Sequence, residues 1–161
     1  LERFFDWHRQ NKRQVVAVEE KFSIEVGRAI VSGSVDRLEQ DGSSLHVVDL
    51  KTGATAVSAK EALEHKQLAA YQLAIMEGGF ERVTTLTQSG GAELLFVGGD
   101  RVDAATRTQP TVDREVVAAE IEKAADGMGA ATFTATLNKN CRTCSVKVIC
   151  PLQANGRNVI E

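Results

Sequence analysis

No apolar run in these 161 residues approaches the roughly 20 that a membrane-spanning helix needs. No charged n-region followed by an apolar h-region opens the chain, so no secretory signal is visible. Neither internal repeats, nor low-complexity stretches, nor a linker interrupt it. An initiating Met is absent; the first residue is Leu1, so the chain is expected to be an N-terminally truncated piece of something longer. Excess positive charge is absent too: 19 Lys and Arg stand against 22 Asp and Glu, a net charge of −3. The overall balance therefore does not advertise nucleic acid. Cysteine is scarce, with only Cys141, Cys144 and Cys150, all within ten residues. An odd, clustered set without a secretory signal argues against a disulfide framework. It argues for metal or cluster ligation in a reducing compartment, here the cytoplasm.

Hydrophobic residues make up 43% of the chain and charged residues 25%, which suits a globular domain with a real core. Charge is unevenly spread. From Gly127 to Ile160 there is no acidic residue, while Lys139, Arg142, Lys147 and Arg157 are present. Such a basic stretch on a mildly acidic body can meet a polyanion or simply face water.

Periodicity supplies the elements. Leu1 to Gln10 places Leu1, Phe4, Phe5 and His8 at helical spacing. Val15 to Val26, Ala29 to Gln40 and Leu45 to Lys51 alternate as strands, joined by turns at Gly27-Arg28 and Asp41-Gly42. They predict an antiparallel meander. Ser58 to Met76 reads as one helix, with Ser58 and Glu61 spaced as a capping box and Gly78-Gly79 as its stop. Glu93 to Val97 is a fourth strand between two glycine pairs, and Arg101 to Gln109 a fifth, edge strand. A second helix follows Pro110, from Asp113 to Ala125. This order predicts one α/β domain over residues 1–161, on a mixed sheet of four to five strands flanked by helices. Residues 139–151 form a cysteine-containing segment near its end.

The chemistry concentrates in Gly33-Ser34-Val35-Asp36-Arg37 and in Val47-Val48-Asp49-Leu50-Lys51-Thr52-Gly53. Each carboxylate sits in an otherwise apolar strand, and burying an ionised carboxylate is costly unless something pairs with it. Two carboxylates on adjacent strands can share a hard cation such as Mg²⁺, which prefers oxygen ligands. Lys51 lies two residues beyond Asp49, on the same face of the strand, where it can stabilise developing negative charge. An ordinary ion pair of Asp36 with Arg37 or Lys51 accounts for these residues equally well. On the predicted helix, Gln67 and Tyr71 stand four apart and share a face.

In the order Gly-x-x-Asp-Arg, Asp-x-Lys-Thr-Gly and Gln-x-x-x-Tyr, the chain resembles the RecB-type, AddB-like branch of the PD-(D/E)XK nuclease superfamily, over roughly Val18 to Pro151. That resemblance implies a restriction-endonuclease-like core, and a DNA repair helicase–nuclease as the parent. It implies Mg²⁺- or Mn²⁺-dependent hydrolysis of DNA, of exonuclease type. Asp36 and Asp49 match the metal-binding carboxylates, and Leu50 the residue whose backbone carbonyl joins them. Lys51 matches the catalytic lysine, and Gln67 and Tyr71 the pair that shapes the site and contacts the strand. The spacing Cys141-x2-Cys144-x5-Cys150-Pro151 is similar to the late cysteines of relatives that bind a [4Fe–4S] cluster, with a fourth cysteine that this chain lacks. A Cys₃His zinc site with His8, His46 or His65 is the alternative. The implied partners are DNA, the helicase domain of the same chain and a partner subunit, with no membrane. The family's upstream metal-ligating residue has no clear match, since His8 lacks the surrounding pattern and reads as a helix-surface histidine. A catalytically incomplete DNA-binding or structural module is therefore the second reading, and a zinc-binding interaction module a third.

Overall fold

Alternating residues in the first third of the chain fold as three antiparallel strands. In this computed structural model, residues 2–99, 103–132 and 135–153 are described. The chain divides into two compact units, Leu1–Ala125 and Asp126–Glu161. The elements run α1 (Glu2–Gln10), β1 (Gln14–Val26), β2 (Ala29–Asp41), β3 (Ser44–Lys51), α2 (Ala59–Leu63), α3 (Lys66–Met76), β4 (Gln88–Phe96), β5 (Ala105–Gln109) and α4 (Arg114–Met128). A short 3₁₀ turn covers Lys139–Thr143.

The sheet order is β1-β2-β3-β4-β5. All pairs are antiparallel except β3 with β4. A parallel neighbour needs a crossover, and α2 and α3 supply it. The crossover helix α3 buries Leu68, Ala69, Tyr71, Gln72, Leu73, Ala74 and Ile75. Its apolar side chains join Leu38, Val47 and Leu94 of the sheet in one core. A fully buried Leu contributes about 2 kcal/mol, so packing fixes this helix against the sheet.

Several element boundaries differ from the sequence reading. The helix expected from Ser58 to Met76 is two helices. Its capping box is present, with Ser58 Oγ accepting from Glu61 N at 3.2 Å and Glu61 Oε2 accepting from Ser58 N at 2.9 Å. The break at Glu64-His65 has an external cause: Nε2 of Gln109 donates to the carbonyls of Ala62 and Leu63, at 3.2 and 3.0 Å. A continuous helix would have given those carbonyls to N–H groups four residues on. The fourth strand starts at Gln88, not Glu93. Gly90-Gly91 lies inside it, where the register with β3 slips between Leu45 and His46. A Cβ on Gly90 would fall 2.2 Å from Nε2 of His46, so the bulge leaves room for that ring. The edge strand begins at Ala105, and residues 101 and 102 of its expected start lie outside the described residues.

One face of the sheet is unusually charged. Arg37, Glu39 and Glu93 are buried there. Glu39 accepts from Asn11 Nδ2 at 2.7 and 2.8 Å, from Arg13 Nε at 2.7 Å and from Arg37 Nε at 2.5 Å. Arg13 also donates to Glu93 Oε1 at 2.5 Å. Burial works to raise the pKa of Glu39, but its hydrogen bonds outweigh burial and hold it below the ordinary value. For Glu93 burial wins over Arg13, and its pKa is raised. The guanidinium of Arg37 lies 5.5 Å from the ring of Trp7 and 6.0 Å from that of Phe4. Arg37 also donates to Nδ1 of His8 at 3.1 Å. These contacts hold α1 against β2.

Candidate active site

Strand β2 delivers Asp36, and β3 delivers Asp49 and Lys51. The β2–β3 ladder ends at the pair Arg37 and Val48, and Asp36 and Asp49 are the residues just beyond it on the two strands. Oδ2 of Asp36 accepts the backbone N–H of Leu50 at 2.6 Å, which ties the two strands together at this level. The ladder between β1 and β2 pairs Val18 with Arg37 and Glu20 with Val35, skipping Glu19 and Asp36 between them. Glu19 has a φ of 50°, the one left-handed non-glycine residue among those described. The β1 backbone is thus locally distorted across from Asp36 without a change of register, and strained residues of this kind cluster at functional sites.

Lys51 Nζ lies 2.6 Å from Oδ2 of Asp49. Oδ2 is buried, and the Lys51 ammonium is its ion-pair partner. Lys51 also donates to Oε1 of Gln67, at 3.3 Å. Nε2 of Gln67 donates in turn to the hydroxyl of Tyr71, at 2.7 Å. Burial raises the pKa of Tyr71 against the lowering effect of the Gln67 hydrogen bond, and the negative charges of Asp49 and Asp36 add to the rise. The tyrosine therefore stays a neutral hydroxyl facing two carboxylates. The five residues singled out in the sequence (Asp36, Asp49, Lys51, Gln67 and Tyr71) stand together on β2, β3 and the first turns of α3. Asp49 and Tyr71 form a buried floor, while Gln67 is exposed at the rim.

His65, in the sequence a candidate zinc ligand alone, belongs to the same neighbourhood. Its pKa is lowered first by burial and then by the positive charge of Lys51, with Asp49 pulling the other way. Its Nδ1 is buried without a partner among the described residues. No spacing pattern in the chain signals this, because the helix break that places His65 is made by a side chain 44 residues away. His8 lies against Arg37 and Phe4, and alternation puts Arg37 on the face of β2 opposite Asp36. His46 lies against Gly90.

Two carboxylates against one ammonium leave the site with excess negative charge. A buried carboxylate whose near counter-charge is a single, partly exposed ammonium can take a hard cation as a further partner. Asp36 and Asp49 therefore fit a divalent metal ion. Only two carboxylates converge, however: among the described residues no three His, Cys, Asp or Glu side chains come together to hold a metal. In the second unit Cys141, Cys144 and Cys150 are free and half-buried, and they are not gathered into a ligand set. Cys141 Sγ accepts from Asn138 N at 3.3 Å and helps cap the 3₁₀ turn.

A mixed α/β sheet carrying Asp, Asp-x-Lys and Gln-x-x-x-Tyr in this arrangement defines a nuclease-like domain. The family model of the PD-(D/E)XK nuclease superfamily matches residues 1–151, and the chain belongs to that superfamily. Its nucleases are hydrolases that typically use a divalent metal. Other similarities include a curated protein and a solved structure. The chain is 31% identical over 86 residues to the "Release factor glutamine methyltransferase" of Bacillus cereus, covering 52% of this chain and 30% of that protein. The crystal structure of SSO0001 shares 21% sequence identity at a TM-score of 0.49, covering 84% of this chain and 60% of that one. The chain thus spans under a third of the curated relative and three-fifths of the solved one. Among the described residues no helix is long and apolar enough to cross a membrane.

Proposed function

We propose that this chain is the nuclease domain of a DNA repair helicase–nuclease and hydrolyses DNA phosphodiesters in the presence of Mg²⁺ or Mn²⁺. The observation that carries the proposal is the meeting of two carboxylates on adjacent strands: Oδ2 of Asp36 accepts the N–H of Leu50, next to Asp49, at 2.6 Å, and Lys51 Nζ lies 2.6 Å from Asp49. Asp36, Asp49 and the backbone carbonyl of Leu50 would hold the cation. When bound, the cation supplies a Lewis acid for the scissile phosphate and lowers the pKa of attacking water. Lys51, whose contacts with Asp49 and Gln67 are both to acceptors, serves as an ammonium that stabilises charge growing on phosphate oxygens. Gln67 fixes the reach of Lys51, and its exposed position on α3 suits contact with a strand. Phosphate contacts should dominate binding, so sequence preference should be weak and salt sensitivity marked. Exonuclease action, a cytoplasmic location and a partner subunit accompany this reading, as does a [4Fe–4S] cluster on Cys141, Cys144 and Cys150 in a longer parent.

The test is cleavage of linear and nicked DNA by the purified chain with Mg²⁺ or Mn²⁺, alongside Lys51→Ala. Metal-dependent cleavage that the substitution abolishes supports the reading. Cleavage retained by the variant overturns the role of Lys51. A catalytically incomplete module is the second reading, favoured by the convergence of two acidic ligands and not three. It predicts DNA binding with no cleavage by either protein.

A further inference from the structure

A buried pair of amides lies behind the site. Gln72 is fully buried on α3 and Gln109 is 3% exposed at the end of β5. Gln72 Nε2 donates to Oε1 of Gln109 at 3.0 Å and to the carbonyl of Pro110 at 3.1 Å. Oε1 of Gln72 accepts from Ser89 Oγ at 2.9 Å and from Val112 N at 3.1 Å. Nε2 of Gln109 is shared among the carbonyls of Ala62, Leu63 and His65, at 3.2, 3.0 and 3.2 Å. Every polar atom of the pair is satisfied, and both amides are oriented by partners on fixed backbone.

This arrangement has a consequence one turn away. His65, the N-cap of α3, makes no side-chain cap hydrogen bond of its own. The carbonyls at the break accept from Gln109 in addition to backbone N–H groups, His65 N on Ala62 O at 3.2 Å and Ala69 N on His65 O at 3.1 Å. Gln67 follows two residues later and reaches Lys51 at 3.3 Å, a contact near the outer limit of a hydrogen bond. A small shift of the first turn of α3 breaks that contact. The edge strand, through one side chain, thus fixes where α3 begins.

We infer that Gln109, oriented by Gln72, is a positioning residue for the reaction: it sets the helix break that brings Gln67 to Lys51. The inference rests on the nuclease reading above. Gln109→Met keeps side-chain length but removes both donor and acceptor. A misplaced active-site group costs about tenfold or more in rate, and that loss belongs in kcat, with KM for DNA within about twofold. The decisive experiment is a double-mutant cycle with Gln67→Ala. If Gln109 acts through Gln67, Gln109→Met lowers kcat in the native background and adds little to Gln67→Ala. Additive losses, or no loss, overturn the inference. The Gln67 side-chain amide resonances give a readout independent of catalysis. They should move in Gln109→Met and stay put in an exposed-surface control such as Lys60→Gln; unmoved resonances in Gln109→Met also overturn it. If wild type cleaves nothing, the nuclease reading fails while the resonance test still stands. Should Gln109→Met not fold, Gln109→Asn retains the amide one methylene short and carries the same cycle.

Discussion

Lys51 and Asp49 sit two residues apart on β3, with Nζ 2.6 Å from Oδ2. Strand alternation puts both side chains on the face covered by α3. The two differ in solvation: the lysine side chain is 33% exposed and the aspartate 4%. The ammonium is therefore the near charge that offsets a carboxylate otherwise cut off from water. A bound divalent cation would take over that duty and leave the ammonium available to a phosphate.

Removing the ammonium should then expose a dependence on metal. Without a cation, Lys51→Met leaves Asp49 buried and uncompensated. We expect a loss of about 1–2 kcal/mol, below the range for fully buried pairs because the lysine is partly hydrated. Added Mn²⁺ should shrink the gap to wild type in thermal unfolding, while cleavage stays at least about a hundredfold down. A gap indifferent to Mn²⁺ would show that the cation does not bind at Asp49.

Direct titration addresses the carboxylate itself. Calorimetry with Mn²⁺ should give a binding isotherm for the wild-type chain, weakened tenfold or more in Asp49→Ala by loss of a charged ligand. Equal affinity in both proteins would place the metal elsewhere.

Much of this was legible from the chain. Strand alternation gave three antiparallel strands, and the Asp, Asp-x-Lys and Gln-x-x-x-Tyr spacings named residues that the fold brings together. Their spacing is local, fixed by the periods of strand and helix. What the sequence does not signal depends on distant partners. The break between α2 and α3 follows from Gln109, whose amide has no signature in the sequence. The bulge at Gly90-Gly91 reflects the ring of His46 across the strand. Arg37, beside Asp36 in sequence and open to pairing with it, bonds instead with Glu39 on its own face. Alternation separates neighbours that a linear reading pairs.

Glu39 and Glu93 should leave opposite marks on the pH dependence of stability. The folded pKa of Glu39 lies below the ordinary value of 4.5, so its contribution is present above that value and lost as pH falls through the folded pKa. The folded pKa of Glu93 is raised, so its ionisation erodes stability as pH climbs from 4.5 through the folded pKa. Glu39→Gln should therefore cost more at pH 7, about 2–4 kcal/mol, than near pH 4. Glu93→Gln should cost less than Glu39→Gln at pH 7, because burial already opposes its charge. Melting temperatures of both variants across this range decide the matter, and parallel curves would contradict the assignment.

The end of β4 offers a separate test of how the Asp-x-Lys segment is held. A Cβ on Gly98 would fall 1.8 Å from the carbonyl oxygen of Thr52, the residue after Lys51. Arg3 donates to the carbonyls of Val97 and Gly98, at 3.1 and 2.8 Å, and so anchors the same corner to α1. The obstacle is backbone, not a flexible side chain, so Gly98→Ala must displace Thr52 or β4. We expect a loss of about 2 kcal/mol or more and a fall in cleavage, because the shift passes directly into Lys51. Gly53→Ala is the control: nothing lies within 4 Å of its Cβ, and no left-handed φ constrains it. It should leave unfolding and cleavage close to wild type. Equal effects of the two substitutions would mean that loss of glycine flexibility after Lys51, and not the close approach of Gly98 to Thr52, governs the site.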